Sequence, residues 1–159
     1  MAVSTTFGLQ IRGSLKRKFE WNKLAMKTMD AAKKALIRQA AYIRRVARSS
    51  MQKADKPSAP GKPPHAHDNP LIRKLLYFDY DDSTGSVVVG PISGRRRSEQ
   101  TVPELMEYGG TVQRPGQNAR TYPPRPYMQP AFEKSSTPTM MSKFWLQAFE
   151  GKDYQAASD

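Results

Sequence analysis

Two histidines and a group of three aspartates are the residues whose types and spacing could support chemistry. His65 and His67 form an H-x-H within the proline-rich stretch "PSAPGKPPHAHDNP". On a strand, such a pair can give two imidazole ligands to a metal. The chain has no cysteine and no evident third ligand nearby, so the pair reads as loop histidines and no metal site is expected. Asp79, Asp81 and Asp82 form a cluster that a two-metal nuclease could use. They surround the turn-like "DDSTG", however, where aspartate is expected for backbone reasons. No accompanying Glu or Lys motif is present. The sequence contains no P-loop, no G-x-G-x-x-G, no G-x-S-x-G and no H-E-x-x-H. No catalytic residue and no cofactor is expected.

Charge is the stronger signal. The formal net charge is +12, and it is uneven: residues 1–53 hold 13 Lys/Arg against two acids, while the remainder is nearly balanced. Such a local basic excess suits contact with nucleic acid or with an acidic protein surface. Much of it lies on a long helix expected from Asn22, a plausible N-cap, to about Met51. No Gly or Pro interrupts that span. At ~100° per residue, Ala25, Met29, Ala32, Leu36, Ala40, Ile43 and Ala47 share one face. Lys23, Lys27, Lys34, Arg38, Arg45 and Arg48 cluster nearly opposite. The basic stripe is either a solvated face or a surface turned to DNA or an acidic neighbour. No zinc finger, RNA-recognition signature, helix-turn-helix or aromatic stacking platform accompanies it. Contact with DNA would therefore be to the phosphate backbone, without sequence reading.

The elements around this helix follow from periodicity and turn chemistry. "VSTTFGLQIR" (3–12) alternates apolar and polar residues, as a half-buried strand does. Residues 55–70 hold five prolines and read as a loop or extended arm. A hairpin follows, with a strand ending near Tyr80, a turn around Ser83–Gly85 and a strand through Val87–Val89. Leu71–Leu76 is an alternative short helical turn. "TVPELMEYGGT" has the pattern of a short helix: Thr101 caps, Pro103 sits in the first turn, Glu104 completes a capping box and Gly109 terminates. Residues 114–130 form an extended, proline-rich segment, ending in "YPPRPYMQP". Proline at that density excludes an interior strand or a helix body. A last helical region opens at Pro130, is split at Thr137-Pro138, and leaves 152–159 as a frayed tail.

The expected fold is α+β, a single domain over 1–159. The long helix packs on a small, mainly antiparallel sheet, with proline-rich arms and a C-terminal helix. Mean hydropathy is −0.71 with 13 Pro and 10 Gly, so the core should be modest. No run approaches a membrane span, and the N-terminus lacks the basic and apolar regions of a signal peptide. The absence of cysteine suits a reducing cytoplasm.

In order along most of the chain, these segments resemble the tail-completion or head–tail joining proteins of tailed double-stranded DNA bacteriophages. The likeness comprises an N-terminal strand ending near a Gly, a long amphipathic helix ending in "ARSSMQK", the proline-bearing loop and the hairpin strand "SVVVGP". Its most specific part pairs "LMEYGGT" with "YPPRPYMQPAFEK". That resemblance implies a structural virion protein in the neck, assembled in the host cytoplasm and joining the DNA-filled head to the tail. It implies a homo-oligomeric ring, sixfold by analogy, around the DNA channel. Its neighbours would be head-connector and tail-terminator or tail-tube proteins, with non-specific contact to genomic DNA and no membrane partner. Glu107, Tyr108, Gly109, Gly110, Tyr122, Arg125, Tyr127, Met128 and Pro130 would then contribute to a subunit interface. The stripe Lys23, Lys27, Lys34, Arg38, Arg45 and Arg48 would face the DNA channel or an acidic partner. Two alternatives stay open: "YPPRPYMQP" packs on its own sheet and fixes the last helix, or the chain is a small basic DNA-binding or packaging-associated protein.

Overall fold

The computed structural model describes residues 21–65, 71–92, 101–113 and 116–151. The alternating stretch 3–12, His67 and the tail 152–159 lie outside the described residues. The long helix is α1, Trp21–Ser50. It already includes Trp21, so Asn22 lies inside the helix and is not its cap. A one-turn helix α2 (Leu71–Lys74) leads into the hairpin β1 (Leu76–Asp81) and β2 (Ser86–Pro91). After α3 (Val102–Tyr108) come the short strands β3 (Gly110–Val112) and β4 (Arg120–Tyr122), then α4 (Met128–Ser135) and α5 (Pro138–Phe149).

The architecture is α+β, as the sequence pattern implies. Among the described residues its strands form two separate antiparallel ladders, β1–β2 and β3–β4, each two-stranded. In the first ladder Phe78 pairs with Val89 and Tyr80 with Val87. These residues lie on the half-buried face, whereas Tyr77, Asp79 and Val88 point out. The hairpin turn is set by Asp81, whose carboxylate accepts from Ser83 N–H and Oγ and from Thr84 Oγ1. These bonds, the Ser83 hydroxyl foremost, hold the Asp81 carboxyl down at about 2. The aspartate cluster thus has a local backbone role.

Two apolar clusters flank α1. Ile43, Ala47 and Met51 pack with Leu76, Tyr127 and Ala131, while Ala31 and Ala35 pack with Phe144 and Ala148. The sequence pattern divides the helix into one apolar and one basic face. The second cluster reveals another apolar sector, about 120° round the helix from Ile43 and Ala47 at ~100° per residue. Alanines there let α5 approach closely, and the Tyr42 and Phe144 rings meet at 5.8 Å, tilted by 59°. Thr137 caps α5 by accepting from Met140 N–H, with Pro138 at its start. The Thr137-Pro138 pair therefore divides the C-terminal helical region in two.

Candidate functional site

The most tightly specified constellation joins α3, the proline segment and α4. Helix α3 is fixed at its start by the Thr101–Glu104 capping box. Its last turn carries Glu107, which is buried. The Glu107 carboxylate accepts three backbone N–H groups from the start of α4: Tyr127 at 3.0 Å and Met128 at 3.1 Å on Oε2, and Gln129 at 2.8 Å on Oε1. Tyr127 occupies the N-cap position with no side-chain capping bond of its own. Glu107 therefore caps α4 from 20 residues upstream, its negative charge at the positive end of that helix. Tyr127 is 1% exposed and packs against α1. Burial, and secondarily the Glu107 charge, pushes its phenol up to about 12.

The intervening rod is held on both sides. Arg125 N–H donates to Met106 O, and its Nε to Ser58 O at 3.1 Å. Gly61 N–H donates to Pro124 O at 2.8 Å. The described part of the first proline loop thus docks on the second proline segment. His65 closes that loop through a 2.7 Å contact of Nδ1 with Lys56 O. Gly109 must be glycine on two counts. Its φ is +71°, and a Cβ there would meet Tyr122 O at 2.8 Å and Pro124 N at 2.9 Å. Gly110, at φ 146°, opens β3.

Of the residues singled out in the sequence, Glu107, Gly109, Arg125 and Tyr127 are thus joined in one intrachain strut. Tyr108 is 76% exposed at its edge and Tyr122 38% exposed on β4. Met128 and Pro130 are half-buried in the first turn of α4. Met128 and Tyr108 also line a groove of about 750 Å³ between α1, β2 and α4, with Leu36, Val87, Val89 and Phe132. The groove wall Val87 reads from the sequence only as a strand residue, and Phe132, Leu24 and Met26 are not singled out there as site residues. In each case an apolar side chain fits a helical or strand pattern, and the pattern does not say whether a partner covers it.

The basic stripe is not one continuous exposed face. Lys23, Lys27 and Arg45 are exposed, whereas Lys34 and Arg48 are half-buried. Lys34 pairs with Asp30 at 2.9 Å, and Arg45 lies over the Tyr42 ring. Arg38 is 5% exposed, and its Nη1 is buried without a hydrogen-bond partner among the described residues. Elsewhere Lys33 reaches Asp82, which raises the Lys33 pKa chiefly through that hydrogen bond. Arg44 Nε donates to Leu76 O at 2.7 Å where β1 begins.

Among the described residues no group of three His, Cys, Asp or Glu is placed to hold a metal. Among them, too, no helix is long and apolar enough to cross a membrane. Fold and site together define an α+β protein whose specified geometry is a strut bordered by exposed apolar surface. In comparisons with known proteins, no family model matches the chain, and no curated protein or solved structure matches it significantly.

Proposed function

We propose that this chain is a structural subunit of the neck of a tailed bacteriophage, a tail-completion component joining the DNA-filled head to the tail. The observation that carries the reading is the apolar surface left uncovered around a rigid strut. Met26 and Met29 on α1, Tyr108 beside the groove, and Leu146 and Phe149 on α5 are each more than 60% exposed. Exposed large side chains on several sides of a small domain suit a subunit with more than one protein neighbour. The strut suits the same role. A proline segment locked by Glu107, Met106 and Ser58 is already ordered before docking, so little entropy is lost when a neighbour meets it. The ordered resemblance of "LMEYGGT" and "YPPRPYMQPAFEK" to neck proteins points to the same class.

In this account the interface residues divide by role. Tyr108 and Tyr122 offer aromatic contact to neighbours, while Glu107, Gly109, Arg125 and Tyr127 hold the strut that presents them. The exposed cations Lys23, Lys27 and Arg45 border the DNA path or an acidic adjacent ring. A test is to locate the chain in purified virions by gold labelling and to count its copies by quantitative mass spectrometry. The expected result is label at the head–tail junction and a fixed, ring-like copy number. Absence from virions, with salt-sensitive DNA binding by the free protein, would favour the DNA-binding alternative.

A further inference from the structure

The N-terminal part of α1 is solvent-exposed along its described length. Residues 22–30 are all exposed, and the buried positions begin at Ala31. This end is not merely polar: Met26 is 71% and Met29 73% exposed, with Leu24 at 49%. At ~1.5 Å per residue it spans about 13 Å. Among the described residues there is also an apolar groove, with Leu36 of α1 as floor, Val87 and Val89 of β2 as one wall, and Met128 and Phe132 of α4 as the other. Phe132 is 56% exposed at its mouth. A convex apolar helix end and a concave apolar groove are complementary shapes. The end belongs to the helix that floors the groove, so it cannot fold back into its own.

We infer that the 22–30 end of α1 from one copy docks in the groove of the next, making a head-to-tail contact between subunits. Charge supports this occupant over an arbitrary apolar partner. Lys27 lies between the exposed methionines Met26 and Met29 in the sequence, while Asp30 is paired with Lys34. Near the groove lie the exposed acids Asp81, beside the Gly85–Ser86 lip, and Glu133, next to Phe132. The flexible thioether side chains of Met26 and Met29 can fill an irregular apolar cleft. Because the two patches differ, the contact is heterologous, and repeated rotation generates a ring or an open filament. A nine-residue helix end covers less than the ~800 Å² per partner of a standard interface. One contact is therefore weak, and closure, in which each subunit makes two, is what stabilises the assembly. Ring closure rests on the neck reading above; the pairing of end with groove does not.

The absence of cysteine from the chain makes disulfide trapping free of background. Full-length Met29→Cys and Phe132→Cys proteins, both altered at exposed positions, would be mixed and mildly oxidised, with circular dichroism confirming their fold. The expected result is a mixed disulfide in large excess over either self-disulfide. A protein carrying both changes should give a ladder of linked species. Met29→Asp should abolish the mixed product. Met29→Cys linking to itself as readily as to Phe132→Cys would overturn the proposal in favour of a twofold helix pair. No mixed disulfide, in a protein that sediments as an oligomer, would also overturn it while leaving the neck reading intact. Loss of the chain from purified virions would remove the neck reading without touching the cross-link result.

Discussion

Replacing Glu107 by alanine should be among the most damaging single changes in this chain, although no catalytic role is assigned to it. The side chain accepts three backbone N–H groups at 2.8–3.1 Å, all at the start of α4. Hydrogen bonds to a charged group contribute ~1.5–3 kcal/mol each, and a buried donor left unsatisfied costs ~1–3 kcal/mol. The three bonds share one carboxylate and do not add. A loss of about 3–5 kcal/mol is expected, above the ~1 kcal/mol typical of an exposed N-cap. Against the ~5–15 kcal/mol that holds a whole domain together, that is a large share. Glu107→Gln is the informative companion. Its amide oxygen, placed where Oε2 stands, keeps the bonds from Tyr127 and Met128. Its NH₂ then opposes the Gln129 N–H, and the favourable charge at the helix end is lost. About half the alanine effect is expected. Urea denaturation followed by circular dichroism gives both values. Glu107→Ala within ~1 kcal/mol of wild type would refute the argument that Glu107 caps α4.

Gly109→Ala should be severely destabilising, since its Cβ would lie 2.8 Å from Tyr122 O in a backbone that cannot move aside easily. Gly116→Ala, at φ +74° with open space around it, should cost only the ~1 kcal/mol of a left-handed conformation; equal melting temperatures for the two variants would count against the close-approach argument. Tyr127 holds its proton to about 12 when folded but ionises near ~10 when unfolded. The unfolded state thus binds fewer protons between those values, and stability should fall as pH rises through that window, less steeply in Tyr127→Phe. Asp81, held at about 2 by Ser83 and Thr84, has the opposite sign: its contribution is present above pH ~4 and is lost as pH falls through about 2. An NMR titration of its carboxyl carbon with a midpoint near the ordinary aspartate value would contradict the turn geometry.

Local chemistry was legible where a rule ties neighbouring residues together. The Thr101–Glu104 box, the Gly109 stop, the Thr137-Pro138 break and the 83–85 turn all act within four residues, and each stands where the pattern placed it. The role of Glu107 was not legible, because a carboxylate that caps a helix 20 residues onward leaves no local mark. One clue existed: the residues before α4, "RPY", contain no Ser, Thr, Asp or Asn to cap it. The α1 pattern reads as two faces because small residues such as Ala31 and Ala35 do not by themselves mark a further buried sector. Ala31 and Ala35 lie between the apolar and basic sectors, and only their contact with Phe144 and Ala148 gives them a function. Arg38 illustrates the same limit from the other side. Its type and spacing place it in the basic stripe, and it lies buried. The first ladder was legible as a hairpin around the 83–85 turn, whereas the three-residue strands of the second are too short for periodicity to mark.

The central claim is a joining role in the virion neck, and the most direct test is electron microscopy of particles made when this reading frame carries an early stop codon. The account predicts DNA-filled heads and separate tails that fail to join, with joining restored when the intact chain is supplied. Complete, infectious virions from the stopped frame would contradict it.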